Sequence, residues 1–293
     1  MTQDEIRPDW VAVDAGSDAL QAWAMKGGSA IATAHKNASL ASAGGLGPAL
    51  DALTGEWMVP DGTAVVICGP VDGSGEALRP VPCTPLPDRL SAVAHRGWAV
   101  HAVPGLARKT PADLTQGAET RIAGFLALNP GWDGVICLTG PTSTWAEVSA
   151  GEVVSFQSFL SGEMIDLLSS QSSLARFPET DGIDMADFAE AVSDSLSRPE
   201  RLAAHLSALR AGAVTGALPP GAGPARLSGL LIGAELSAAR PYWLGQNLAL
   251  VGASEDTRLY AAALQAQGAG ATVADAGRMA LAGLTAAHRL IRN

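Results

Sequence analysis

The sequence predicts an α/β protein with mixed sheets flanked by helices. Three observations carry that class. Short apolar runs alternate with helical stretches along all 293 residues, the pattern of strands covered by helices. The first run, Val11-Ala12-Val13, ends on Asp14, turns through Ala15-Gly16-Ser17 and resumes as Leu20-Gln21-Ala22-Trp23. That spacing lets the two halves pair as a hairpin, so antiparallel pairs join the sheet. The pattern recurs after Asp133: Gly134-Val135-Ile136-Cys137-Leu138 runs into Thr139-Gly140-Pro141-Thr142-Ser143-Thr144-Trp145. With Gly16 laid on Gly140, Val13 meets Cys137 and Trp23 falls close to Trp145, which suggests a duplicated unit.

The elements follow in order. After the first hairpin, Lys26-Gly27-Gly28-Ser29 turns into a third strand at Ala30–Ala34. Gly47–Trp57 reads as a helix and Thr63–Cys68 as an apolar strand stopped by Gly69-Pro70, with Asp72-Gly73-Ser74-Gly75 a loop. Trp98–Val103 is a strand closed by Pro104-Gly105, and Gly117–Leu128 a helix ended by Asn129-Pro130-Gly131. The second three-stranded unit runs from Gly134 to Phe159. Helices then follow at Gly162–Ser170, Met185–Leu196, Pro199–Gly212 and Ala225–Arg240. Leu248–Val251 is a strand, Glu255–Gln267 a helix, Ala271–Ala274 a strand and Ala276–Ile291 a helix. Gly229 and Gly233 lie one turn apart inside a helix, where each glycine costs about 1 kcal/mol. Close packing of a neighbouring element against bare backbone accounts for them, or a bordering ligand cleft.

Composition narrows the function. An apolar fraction of 47% supports sizeable cores, and the length favours two domains. A net charge of −10 argues against nucleic acid or an anionic membrane as partner. Cys68, Cys83 and Cys137 lack metal-ligand spacing. The five histidines form neither a metal nor a triad pattern. The polar, acidic start and the absence of an apolar run of about 20 residues lead us to expect a soluble, cytoplasmic protein. Neither a P-loop nor a dinucleotide fingerprint stands between a strand and a helix. Asp14, at a strand exit beside turn amides, fits a holder of magnesium or its water. Asp-x-Gly-Ser is equally a solvent turn.

Several segments in this order resemble the 2-dehydro-3-deoxygalactonokinases. These are Val103-Pro104-Gly105-Leu106, Gln116-Gly117-Ala118-Glu119-Thr120, Thr139–Trp145, Phe159-Leu160-Ser161-Gly162-Glu163 and, most specific, Leu227-Ser228-Gly229-Leu230-Leu231-Ile232-Gly233-Ala234-Glu235. The family comprises sugar-acid kinases of the actin-like, hexokinase-like superfamily. The resemblance implies two ribonuclease-H-like domains with the ligand cleft between them. Residues 1–130 would carry the first phosphate loop and the sugar side, and 131–293 the second phosphate loop and the adenosine side. It implies ATP and magnesium as cofactors and phosphorylation of the terminal hydroxyl of 2-dehydro-3-deoxygalactonate or a related sugar acid. Dimers are frequent in such folds, so a homodimer is an open expectation.

The resemblance also distributes roles. Asp14 and Glu119 are the candidate catalytic carboxylates, Asp14 being the candidate metal ligand too. Glu119 reads equally as a helix-start acid favoured by the dipole. Gly16, Ser17, Gly140, Thr142, Ser143, Gly252, Ala253 and Ser254 are the candidates for ATP, and Arg79 and Glu163 for the substrate. The sequence departs from the family's Asp-Trp-Gly-Ser/Thr-Ser/Thr-Asn-Leu-Arg-x-Trp at Ala15, Asp18, Ala19 and Gln21. It departs from Pro-Gly-Thr-His-x-Lys-Trp at Thr139, Pro141, Thr142 and Thr144, and from Arg-Gly-Glu-Glu-Thr at Gln116 and Ala118. Expected cations are neutral at Gln21, Gln116 and Thr144. Asp18 brings negative charge to a phosphate turn, and Pro141 removes a donor. The alternative is a catalytically silent homologue that binds a sugar acid or a protein partner.

Overall fold

The computed structural model describes residues 6–71, 78–175, 177, 182–219 and 221–291. The Asp72–Gly75 loop expected from the sequence lies outside them. The chain divides into two compact units. The first holds Met1–Asp133, Val148–Ser155 and Ala274–Asn293, the second Gly134–Glu147 and Phe156–Val273.

The chain opens with β1 (Trp10–Ala15), β2 (Leu20–Lys26) and β3 (Ser29–Lys36), then α1 (Leu46–Thr54) and β4 (Ala64–Cys68). Short strands follow: β5 (Arg79–Pro80), β6 (Ser91–Val93), β7 (Ala99–Ala102), β8 (Leu106–Lys109) and β9 (Ala112–Thr115). After α2 (Ala118–Leu128) come β10 (Gly134–Leu138), β11 (Ser143–Ser149) and β12 (Glu152–Phe159). Next stand α3 (Ser161–Gln171), α4 (Met185–Ser197), α5 (Leu202–Thr215), α6 (Ala222–Ala238) and α7 (Arg240–Trp243). The finish is β13 (Leu248–Gly252), α8 (Ser254–Gln265), β14 (Ala271–Asp275) and α9 (Ala276–Leu290).

Three sheets run in the orders β3-β2-β1-β4-β7-β6, β12-β11-β10-β13-β14 and β5-β8-β9. Both large sheets are mixed in the manner the hairpins predict. Strand β1 is antiparallel to β2 and parallel to β4, and β10 is parallel to β13. The expected duplication stands out as β1-β2-β3 and β10-β11-β12, in the same positions of their sheets. The pieces of β5, β6, β8 and β9 escape the sequence reading because two to four residues set no alternation.

Every residue of β1 is buried, because both sheet faces are covered. Val11, Val13 and Ala15 pack with Ala49, Leu50 and Leu53 of α1 and with Trp57. Trp10 and Ala12 pack with Ala280, Leu284 and Ala287 of α9. The last helix therefore belongs to the first unit, whereas the sequence reading runs the second domain to 293. Two glycines fix that packing: a side chain at Gly124 would collide with the Met279 carbonyl, and one at Gly283 with that of Thr120. In the second unit, the helical pair Gly229 and Gly233 has its packing reason. A Cβ at either would lie 2.5 Å from a carbonyl oxygen of α4, that of Phe188 or of Val192.

Candidate active site

Strands β1 and β4 run parallel, so Asp14 stands opposite Cys68 where both strands end. Beyond β4, Gly69 takes φ +113°, and any Cβ there would strike the Ala15 carbonyl. The Asp14 carboxylate is buried and doubly engaged. Arg121 Nη2 donates to its Oδ2 at 2.7 Å, and the Cys68 thiol to its Oδ1 at 3.3 Å. Asp14 is the main cause that raises the Arg121 pKa still further. Burial first, then Asp14, pushes the Cys68 thiol well up, so it stays protonated. Arg121 reaches this corner because α2 starts at Gly117 in a left-handed conformation (φ +109°), which glycine adopts at no steric cost.

Glu119 occupies a different place from the one expected of a catalytic base. It has no exposed surface. It accepts from Thr115 Oγ1 at 2.7 Å, from the Gly117 amide at 2.7 Å and from Thr120 Oγ1 at 3.5 Å. Burial raises its pKa, and the Thr115 and Gly117 hydrogen bonds oppose the rise. A base must come within about 3 Å of the proton it takes, which this enclosed carboxylate does not offer. Glu119 instead pins the turn that aims Arg121. Arg79 is likewise committed elsewhere: its two terminal nitrogens donate to the Thr84 and Pro85 carbonyls.

The turn between β1 and β2 is closed by the Gly16 amide, which donates to the Ala19 carbonyl at 2.8 Å. That amide is therefore not free for phosphate. Ser17 and Asp18 are both exposed, so the Asp18 carboxylate faces water.

In the second unit, β10 and β13 end side by side, with the Thr139 amide donating to Val251 O at 2.9 Å. Gly252 has no room for a side chain, because Thr139 Oγ1 lies against it, and that hydroxyl is buried without a partner. The start of α3 rests on the loop: Gly162 packs on the Gly140 carbonyl, and the Glu163 amide donates to Pro141 O at 2.8 Å. The Glu163 side chain is exposed, as is Thr142. Ser143 is fully buried, which withdraws it from the expected ATP contacts. Its hydroxyl donates to Glu235 Oε1 at 2.8 Å, as does Trp145 Nε1 at 2.8 Å, and Tyr260 donates to Oε2 at 2.8 Å. Ala253 and Ser254 are exposed at the start of α8, whose first turn has no capping side chain.

Thus Asp14, Gly16 and Ser17 gather at one strand end, and Gly140, Thr142 and Glu163 at another. Sequence reasoning misses two residues. Arg121 lies one position past the recognisable Gln116–Thr120 segment. Glu235 lies inside a recognised segment that assigns it no role; a lone carboxylate on a buried apolar helix is the available signal.

These groups do not fit a protein-held magnesium ion. Magnesium takes oxygen ligands, yet both Asp14 oxygens are engaged, and an ion on Oδ2 would sit against a guanidinium. Among the described residues no three His, Cys, Asp or Glu side chains cluster to hold a metal. The expectation that Asp14 is the metal ligand gives way to an ion pair.

A family model described as 2-keto-3-deoxy-galactonokinase matches residues 14–287. A probable 2-dehydro-3-deoxygalactonokinase of Rhizobium meliloti (strain 1021) is 28% identical over 299 residues, covering 96% of this chain and 97% of that one. The 2-dehydro-3-deoxygalactonokinase of Escherichia coli (strain K12) is 29% identical over 295 residues, covering 97% and 96%. The crystal structure of a Sinorhizobium meliloti protein assigned to the same activity superposes with a TM-score of 0.88 at 26% identity over 96% of each chain. Component A of the Acidaminococcus fermentans (R)-2-hydroxyglutaryl-CoA dehydratase, at 11% identity and a TM-score of 0.55, shares the fold alone. Because the family match spans both hairpin turns and nearly all between and beyond them, the chain belongs to the 2-keto-3-deoxy-galactonokinase family.

Proposed function

We propose that this chain is an ATP-dependent sugar-acid kinase acting on the terminal hydroxyl of 2-dehydro-3-deoxygalactonate or a related sugar acid. The observation that carries this reading is the paired construction of the two turns, each at a strand exit and each inside the family match. Phosphoryl transfer spreads negative charge over oxygens, so it needs cations and aligned donors more than covalent chemistry. The first unit offers the Ser17 hydroxyl and the Arg121 guanidinium. The second offers the Thr142 hydroxyl and the uncapped first turn of α8 at Ala253 and Ser254, where partial positive charge suits an anion. Gly252 keeps the start of that helix close to β10. Glu163 is the exposed carboxylate for the sugar side. Magnesium belongs with the nucleotide in this reading rather than with a protein-held site. The need for ATP supports a cytoplasmic setting; among the described residues no helix is long and apolar enough to cross a membrane.

The test is ADP release from magnesium-ATP by the purified chain, with and without 2-dehydro-3-deoxygalactonate. Release that requires the sugar acid, with product phosphorylated at the terminal hydroxyl, supports the reading. No release with any 2-dehydro-3-deoxy sugar acid, under conditions where an Escherichia coli relative turns over, would falsify it.

A further inference from the structure

We infer that Arg121 is the phosphate-gripping cation of the first turn, with Asp14 as its anchor. The inference rests on the kinase reading above. Two carboxylates act on Arg121 at this corner, Asp14 and the buried Glu119, and the exposed Asp18 lies in the turn that follows Asp14. An oxyanion arriving there meets repulsion unless a cation stands between. Arg121 is that cation, and it is held in a defined pose. One terminal nitrogen is on Asp14 at 2.7 Å, and the Arg121 side chain as a whole is a quarter exposed. Its Nε is buried without a hydrogen-bond partner. Nη1 borders a bare stretch of backbone. A Cβ built on Gly117 would lie 3.8 Å from Nη1 and 3.6 Å from the Cα of Gly69. Both positions are glycine, so neither of them puts a side chain beside Nη1. A guanidinium with several N–H groups unpaired, fixed by one carboxylate, is set to take an oxyanion in bidentate fashion.

The alternative is that Arg121 only neutralises Asp14. Calorimetric titration of ATP at saturating magnesium separates the two, using wild type, R121K, R121Q, D14N and D14N/R121Q. R121Q should weaken ATP binding about ten- to a hundred-fold, with R121K in between because lysine lacks the fork. The double variant should melt closer to wild type than R121Q does, since no buried charge is left alone, yet recover no affinity. Recovery of affinity in D14N/R121Q, or undiminished affinity in R121Q, overturns the inference. Nucleotide-free manganese titration supplies an independent arm. Stoichiometric manganese binding by wild type that is lost in D14N would make Asp14 a metal ligand and overturn it too. A wild type that binds no ATP sinks the kinase reading itself, an outcome visible before any variant is compared.

Discussion

Glu235 shows what one buried carboxylate can fix. It collects donors from Ser143, Trp145 and Tyr260, so truncation orphans three buried polar groups at once. Each orphan costs about 1–3 kcal/mol. Glu235→Ala should therefore lose at least about 3 kcal/mol in urea unfolding, with Tyr260→Phe losing much less. Because Ser143 starts β11 at the end of the second turn, Glu235→Gln should raise the KM for ATP more than it lowers kcat. Glu119 gives a pH dependence of determined sign. Its pKa is raised in the folded protein from 4.5, so the folded state holds the proton more tightly. Its contribution to stability is full below about 4.5 and is lost as pH climbs through the folded value. Glu119→Gln should flatten that fall in a pH series of denaturant midpoints; an unchanged slope would assign the dependence elsewhere. The thiols are equally distinct. Burial raises Cys68 and Cys137 well above the usual value; it raises Cys83 too, but that side chain is only partly buried. A thiol reagent should modify Cys83 in the native protein, and all three cysteines only after unfolding.

Among elements, the α4–α6 pair is the part most legible in the sequence. Two glycines one turn apart in a helix signal close approach, and the carbonyls of Phe188 and Val192 are what approach them. Alanine is the better helix former by about 1 kcal/mol, so Gly229→Ala would stabilise an isolated helix. Here the added methyl meets backbone that cannot swing aside, and overpacking of this kind costs about 1–3 kcal/mol. The variant should lower the thermal midpoint despite its propensity, and Gly229→Ala/Gly233→Ala should lower it more. The hairpins are legible for the same reason: strand, turn glycine and strand lie within one short window. What a window cannot hold is a partner 107 residues away, the separation of Asp14 and Arg121. The strand exit singles out Asp14 from sequence alone. Its function as an anchor follows only once α2 has brought the guanidinium over.

At the scale of the whole molecule, the same limit displaces a domain boundary. The spacing of Ala280, Leu284 and Ala287 identifies α9 as an amphipathic helix but says nothing of which sheet it covers. Proximity in sequence assigns it to the second domain, yet its buried face meets Trp10, Ala12 and Val66 of the first unit. It also crosses α2 at Gly124 and Gly283, so close that neither position has room for a methyl. The first unit is therefore assembled from both ends of the chain, and one face of its sheet lacks the cover of Ala280, Leu284 and Ala287 until the last helix is made. A fragment ending at residue 130 should consequently fail to fold alone, exposing Trp10 and Met25, which are buried in the full chain. The measurement is the amide-exchange and tryptophan-emission profile of that fragment, alone and with a peptide of residues 274–293 added. Rescue of protection in β1 and β4 by the peptide would establish that α9 completes this core. A fragment that folds without it would mean the face toward α9 contributes little, and that β1 is held chiefly by Ala49, Leu50 and Leu53 of α1 on the other side.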